Sequence, residues 1–161
     1  MDAGFTTCLW FDGQAEEAEE AASFYTSIFP GSSIGKVGRY TEAGPGEPGS
    51  VLAVEFVLNG QRFVGINGGP EFTFDEAISF QLHCDGQEEV DHYWEALTDG
   101  GSESMCGWLK DRFGVSWQVI PKGMVELIAD ADPERARRAT EAMLSMRKLD
   151  LETVRRAHAG T

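Results

Sequence analysis

Part of this chain is written twice, and a duplication constrains the fold more than any single motif can. Asp12-Gly13-Gln14, Glu16-Glu17, Phe24-Tyr25, Ile28 and Gly31 recur as Asp85-Gly86-Gln87, Glu88-Glu89, Tyr93-Trp94, Leu97 and Gly100. From the aromatic pair onward the copies keep one offset of 69, Tyr25 to Trp94 and Gly31 to Gly100. Between Asp and the aromatic pair the first copy is longer by about four residues, one helical turn. Each copy follows an apolar strand-like run and precedes hairpin patterns. The repeating unit is therefore a strand-helix-strands module, and two of them predict a pseudo-symmetric domain with a site between its halves.

The modules can be drawn residue by residue. Phe5 to Phe11 is rich in β-branched and aromatic types and ends at the turn signal Asp12-Gly13, which predicts a strand. Ala18, Ala21, Ala22, Tyr25, Ile28 and Phe29 then recur at three- and four-residue spacing opposite glutamates, up to Pro30-Gly31. That is an amphipathic helix with one stripe for a sheet. Strand patterns follow at 34–40, 51–58 and 61–66, the last two joined by Asn59-Gly60, a strong hairpin signal. Residues 41–50, with three glycines and two prolines, predict a mobile surface loop or lid. The second module starts with the alternation Ile78, Phe80, Leu82, Cys84 against Ser79, Gln81, His83. A helix at 87–98 follows, then strands at 103–106, 108–112 and 115–120. Asp132-Pro133 opens one tail helix and Asp150 another. The expectation is one α+β domain over 1–161: module one at 5–67, module two at 77–121 and a helical tail at 131–158.

Charge narrows the partner. Lys and Arg number 13 against 27 Asp and Glu, a formal charge of -14 that repels phosphate backbones and anionic headgroups. Nucleic acid and membrane are excluded as expected partners. Three cysteines, Cys8, Cys84 and Cys106, lack CxxC spacing and do not read as a disulfide framework or a zinc site. No basic-then-apolar leader and no long apolar run appears, so a cytoplasmic location is the default expectation.

Alternation also divides each sheet into two faces. Thr7, Leu9 and Phe11 match Phe80, Leu82 and Cys84 beneath the helices, and Thr6, Cys8 and Trp10 match Ser79, Gln81 and His83 on the open side. In the last strand Val115, Trp117 and Val119 fall beneath the helices, while Ser116, Gln118 and Ile120 fall on the open side. An open face mixing amides and aromatics suits a ligand cavity.

Two βαβββ modules of this length resemble the vicinal oxygen chelate superfamily, which includes glyoxalase I, the bleomycin-resistance proteins and the extradiol dioxygenases. A closer resemblance is to its PhnB-like branch, often labelled demethylubiquinone 3-methyltransferase-like. The residues that carry it are Leu9 to Gly13, Phe24-Tyr25 with Ile28 to Gly31, Gly65 to Pro70, Cys106 to Gln118 and Lys148-Leu149-Asp150. The resemblance implies a glyoxalase-like half-barrel, with C-terminal helices added, and a homodimer, to which the tail stripe of Met143 and Met146 would contribute. In metal-dependent members His, Gln or Glu side chains from the first and last strands of each module hold the ion. Here those places fall at Thr6 or Cys8, about Val64, Ala77 or Ser79 with Gln81, and Gln118. Neutral amides, hydroxyls and a thiol make a poor divalent site, so no metal and no cofactor are expected. Nor is there a strand, glycine-rich turn and helix of the kind common adenosylmethionine enzymes use, so the label is not read as an activity.

Single residues complete the reading. His83 is open between a proton-transfer or contact role and mere packing at a pocket rim. Cys8 reads as a small buried hydrophobe rather than a nucleophile, and Lys110 and Asp111 as turn polar groups. Trp94 and Trp117 belong in the core, whereas Trp10 and Trp108 can wall a pocket for a planar compound. The leading expectation is a metal-free binder of a small organic molecule, contacted by Cys8, Trp10, Gln81, His83, Trp108 and Gln118. The alternative is a metal-assisted lyase, isomerase or dioxygenase with an atypical site around Gln118 and His83.

Overall fold

In the computed structural model residues 4–12 and 16–161 are described; Gly13 and Gln14 of the first repeat copy lie outside them. The described chain divides into two compact units, one running to Phe74 and the other starting at Asp75. Unit one contains β1 (Thr7–Phe11), α1 (Glu17–Ile28), β2 (Ser33–Arg39), β3 (Val51–Leu58) and β4 (Gln61–Asn67). Unit two contains β5 (Phe80–Cys84), α2 (Gln87–Thr98), β6 (Ser102–Glu103), β7 (Trp108–Lys110) and β8 (Ser116–Pro121), then α3 (Met124–Ile128), α4 (Pro133–Leu144) and α5 (Leu151–Ala159). The two sheets have the same order, β1-β4-β3-β2 and β5-β8-β7-β6, with β1 parallel to β4 and β5 parallel to β8. The written repeat is thus a repeated topology, in an α+β fold with C-terminal helices.

In unit one the small residues of α1 let the helix settle on the sheet. Ala18, Ala21, Ala22 and Tyr25 are fully buried, and a Cβ on Gly65 of β4 would lie 3.3 Å from that of Ala18 and 3.1 Å from the Phe11 ring. Tyr25, Phe56 and Phe63 continue the contact as a stacked series with centroids 6.2 and 5.3 Å apart. Asn67, 7% exposed, ties the unit together from the end of β4. Its amide oxygen accepts from Ala18 N at 3.0 Å, serving an orphan N–H of α1, and its amide nitrogen donates to Val51 O at 3.1 Å. Asn59 and Gly60 both have positive φ, 45° and 83°, as the two-residue hairpin between β3 and β4 requires. β2 forms the sheet's edge and is exposed throughout, but register shifts and Lys36 make it a poor template for further pairing.

The expected mobile loop at 41–50 is tied down. Tyr40 pairs its backbone with Ser50 and Gly49, its ring is wrapped by Gly44 and Gly46, and its hydroxyl donates to Asn67 O at 2.8 Å.

In unit two Val90, Trp94 and Leu97 of α2 are buried with Leu109, Trp117 and Val119, which places Trp94, Trp117 and Val119 where the sequence predicts. Three boundaries differ from expectation. β6 is two residues long, not a strand at 103–106, because Cys106 and Gly107 adopt left-handed conformations at φ 59° and 79°. β7 stops at Lys110, where Asp111 opens a turn, and β8 starts at Ser116. The short helix α3, five residues after Gly123, is too brief for a periodic signal and was not expected from the sequence.

The tail is an integral part of unit two. Met124, Ala139, Leu149, Leu151 and Val154 form its core, with Ile120, Met143 and Met146 packed against it, so the methionine stripe is used within the unit. Asp132 and Asp150 cap α4 and α5 as read from the sequence. Three further ties hold the tail: Cys106 N donates to Met146 O, Gly107 N donates to Arg147 O, and the Gln87 amide bonds Leu149 O and Leu151 N. His158 bonds Asp130 at 2.8 Å and so has a structural role. Among the described residues no helix is long and apolar enough to cross a membrane.

Candidate functional site

The pairing register assembles a row of side chains on the open face of unit two. Gln81 on β5 lies opposite Gln118 on β8, which lies opposite Trp108 on β7. Because paired residues share a face, two amides and an indole stand side by side. The amides also bond: Gln81 Nε2 donates to Gln118 Oε1 at 3.2 Å, and Gln118 Nε2 donates to Ser79 Oγ at 2.7 Å. His83, exposed, stands on the same face across from Ile120, one step along the row. Ser116 departs from expectation: it is 1% exposed, covered by the segment before β5, with its hydroxyl donating to Asp75 O at 3.2 Å.

Next to Trp108, at the β6–β7 edge, is a groove of about 440 Å³. Of the six predicted contact residues only Trp108 lines it, together with Glu76, Ser102, Glu103, Ser104 and Lys110. Lys110 therefore corrects the turn reading. It lies within β7 opposite Ser116 and Ser102, and its ammonium is 2.7 Å from the Glu76 carboxylate. That hydrogen bond is the main reason the Glu76 carboxyl is held below the usual range. Its sequence signal was available, since Lys110 is two positions from Trp108 and so shares its face. Asp111 does belong to a turn, and it is 3% exposed. Its carboxylate accepts from Phe113 N, Val115 N and the Trp117 indole at 2.9, 3.1 and 2.8 Å. Glu103 is similarly occupied, by the Trp94 indole at 2.9 Å and by Arg147 at 3.6 Å.

In unit one the corresponding face carries Cys8 opposite Val64 and Trp10 opposite Ile66, with Glu55 and Ala53 next in each row. Cys8 is exposed, not the buried hydrophobe expected. What burial its thiol has raises it above the ordinary value, which lowers its reactivity near neutral pH. Trp10 is half-buried and serves the fold itself, since its indole donates to Gly69 O at 2.8 Å and its ring meets Phe72 edge-on.

The donor set can be tested against the superfamily's metal. Thr6, Cys8 and Val64 occupy the unit-one places, and Ser79, Gln81 and Gln118 those of unit two. Val64 cannot ligate, and Gln118 has both ends of its amide engaged by protein partners. Among the described residues no three His, Cys, Asp or Glu side chains gather as a metal site needs. These residues do not fit the ion.

The duplicated βαβββ topology defines a vicinal oxygen chelate fold. A family model described as 3-demethylubiquinone-9 3-methyltransferase matches residues 3–120. A Bacillus cereus structure, described as a putative 3-demethylubiquinone-9 3-methyltransferase, PhnB protein, is 40% identical with a TM-score of 0.65, the alignment covering 74% of this chain and 99% of that one. The chain belongs to this PhnB-like family. A Pseudomonas aeruginosa protein at 21% identity and TM-score 0.59, covering 74% and 98%, shares the fold. So does the fosfomycin resistance protein FosX of Listeria monocytogenes, at 17% identity and TM-score 0.50, covering 74% and 92%. No curated protein matches the chain.

Proposed function

We propose that this chain binds a small organic molecule against the open face of its second sheet, without the superfamily's catalytic metal. Trp108 supplies a planar wall, Gln81 and Gln118 supply paired donors and acceptors, and His83 stands at the end of the row. Cys8 and Trp10 are retained as contact candidates for the matching face of unit one. The observation that carries this reading is the Ser79-Gln118-Gln81 chain, which fixes the two open-face amides beside Trp108 and leaves each a second N–H or lone pair for a ligand. A metal-assisted lyase, isomerase or dioxygenase would have to draw donors from those neutral groups. A methyltransferase reading has no glycine-rich turn to rest on, since Gly65 to Pro70 closes β4 and leads away from any helix.

The test is a thermal-shift screen of the whole protein against metabolites and aromatic antibiotics, repeated on Trp108→Ala and Gln118→Ala. Loss of a stacked indole or of an amide pair should weaken binding about tenfold or more, removing ligand-induced stabilisation. Hits that stabilise both variants as well as the parent would refute the assignment. Stoichiometric zinc, nickel, manganese or iron surviving dialysis would overturn its metal-free half.

A further inference from the structure

Within the groove the groups that face a ligand are of unequal kinds. Ser102 and Ser104 offer hydroxyls, Trp108 a ring face, and Lys110 a cation whose side chain is 35% exposed. Glu103 already serves the Trp94 indole and Arg147. Glu76 is different: it reaches Lys110 from the irregular segment before β5, and its own side chain is 62% exposed. The backbone around it is fixed independently of that contact, by Ser116 to Asp75 O and by Ala77 N to the Asp75 carboxylate. Glu76 can swing into solvent while the segment stays in place.

We propose that Lys110 is the anion subsite of this groove, that Glu76 occupies it in the free protein, and that the ligand is a planar apolar molecule carrying a carboxylate or similar anionic group. The proposal rests on the reading of the open face as a binding site. An exposed ion pair is weak, because water solvates both partners well, so an incoming carboxylate can replace that of Glu76 at little cost. Ser102 lies in register with Lys110, so its hydroxyl can donate to the second oxygen of the same anion. Trp108 and Lys110 are two residues apart on one strand face, about 7 Å by the strand rise. That separation suits an acid group two or three bonds from a ring lying on the indole. The chain's formal charge of -14 opposes any anion at long range. Among the described residues that line the groove Lys110 carries the positive charge, so charge selectivity is assigned to direct contact with this side chain.

A matched trio of probes tests this: 3-phenylpropionate, 3-phenylpropionamide and 3-phenylpropylamine, titrated into the full-length ¹⁵N-labelled protein with the Trp108 indole N–H as reporter. That signal is assigned by its disappearance in Trp108→Phe, and the Trp117 signal reports an intact core. The acid should shift the Trp108 signal saturably and bind at least fivefold more tightly than the amide or the amine. Lys110→Met should weaken the acid at least tenfold, and Glu76→Gln should tighten it about threefold by removing the competing carboxylate. If the amide or amine binds as well as the acid, or Lys110→Met leaves the acid unaffected, the anion subsite is wrong while the groove stands. If none of the three probes moves the Trp108 signal, the groove fails as a site and the proposal falls with it.

Discussion

Replacing Asp111 by Ala should lower the stability of the protein by about 3 kcal/mol or more, a fall in Tm of about 6–12 °C for a chain of this size. The effect is large because one buried carboxylate serves three donors. Its two oxygens accept from Phe113 N, Val115 N and the Trp117 indole, and its backbone closes the same turn through Val115 O and Gly114 N. Phe113 is half-buried, so water can reach part of what is lost; Trp117 is 3% exposed, so its indole N–H would lose the Asp111 acceptor where water cannot easily replace it. Asp111→Asn should fall between the two, since an amide keeps one acceptor oxygen but turns an NH₂ toward an N–H. Urea unfolding of the three proteins checks the order. A loss under about 1 kcal/mol for the alanine variant would mean that the turn is set by its backbone and not by the carboxylate.

Asp111 also shows where reading the sequence worked and where it stopped. Duplication and period-two alternation placed Leu9, Phe11, Cys84, Val115, Trp117 and Val119 in the core, because a core face repeats its pattern over many positions, but Thr7, assigned to the same face, is exposed at the start of β1. Asn59-Gly60 was legible for a different reason: few residue pairs accept two successive positive φ values, so the turn chemistry names itself. Asp111 and Lys110 are adjacent, and composition alone made both look like turn residues. What separates them is a strand end, and strand ends are decided by a few hydrogen bonds that leave no periodic trace. The long-range role of Asn67, capping a helix 49 positions away, is invisible for the same reason.

The candidate site divided along similar lines. Gln81 and Gln118 followed from alternation in modules that share one topology, whereas Trp108 was chosen as an aromatic wall and only the pairing register puts it in their row. The groove beside it was missed. It depends on Glu76, from a segment with no regular pattern, and on Ser102 and Ser104, which lie in and just after a strand of only two residues. Trp10 carries a role the sequence did not announce: its N–H and ring hold the turn after β4.

Gly107→Ala should cost about 3 kcal/mol, and the control that gives this number meaning is Gly31→Ala, expected to cost about 1 kcal/mol. Both glycines are left-handed, with φ of 79° and 66°. A Cβ on Gly31 meets nothing within 4 Å, so its substitution reports backbone strain alone. A Cβ on Gly107 would stand 2.8 Å from Val119 O and 2.9 Å from the Leu149 side chain. Neither neighbour can easily withdraw. Val119 N donates to Gly107 O in the same pairing, and Leu149 is 1% exposed in the core of the tail. The clash must therefore push residues 106–107 away from β8 or push the tail away from both, straining the bonds to Met146 O and Arg147 O. Hydrogen exchange separates the two variants as well as calorimetry does: amides of α4 and α5 should exchange faster in Gly107→Ala and stay unchanged in Gly31→Ala. Equal costs for the two substitutions would show that the contact relaxes without consequence and that residues 146–147 do not hold this turn in place.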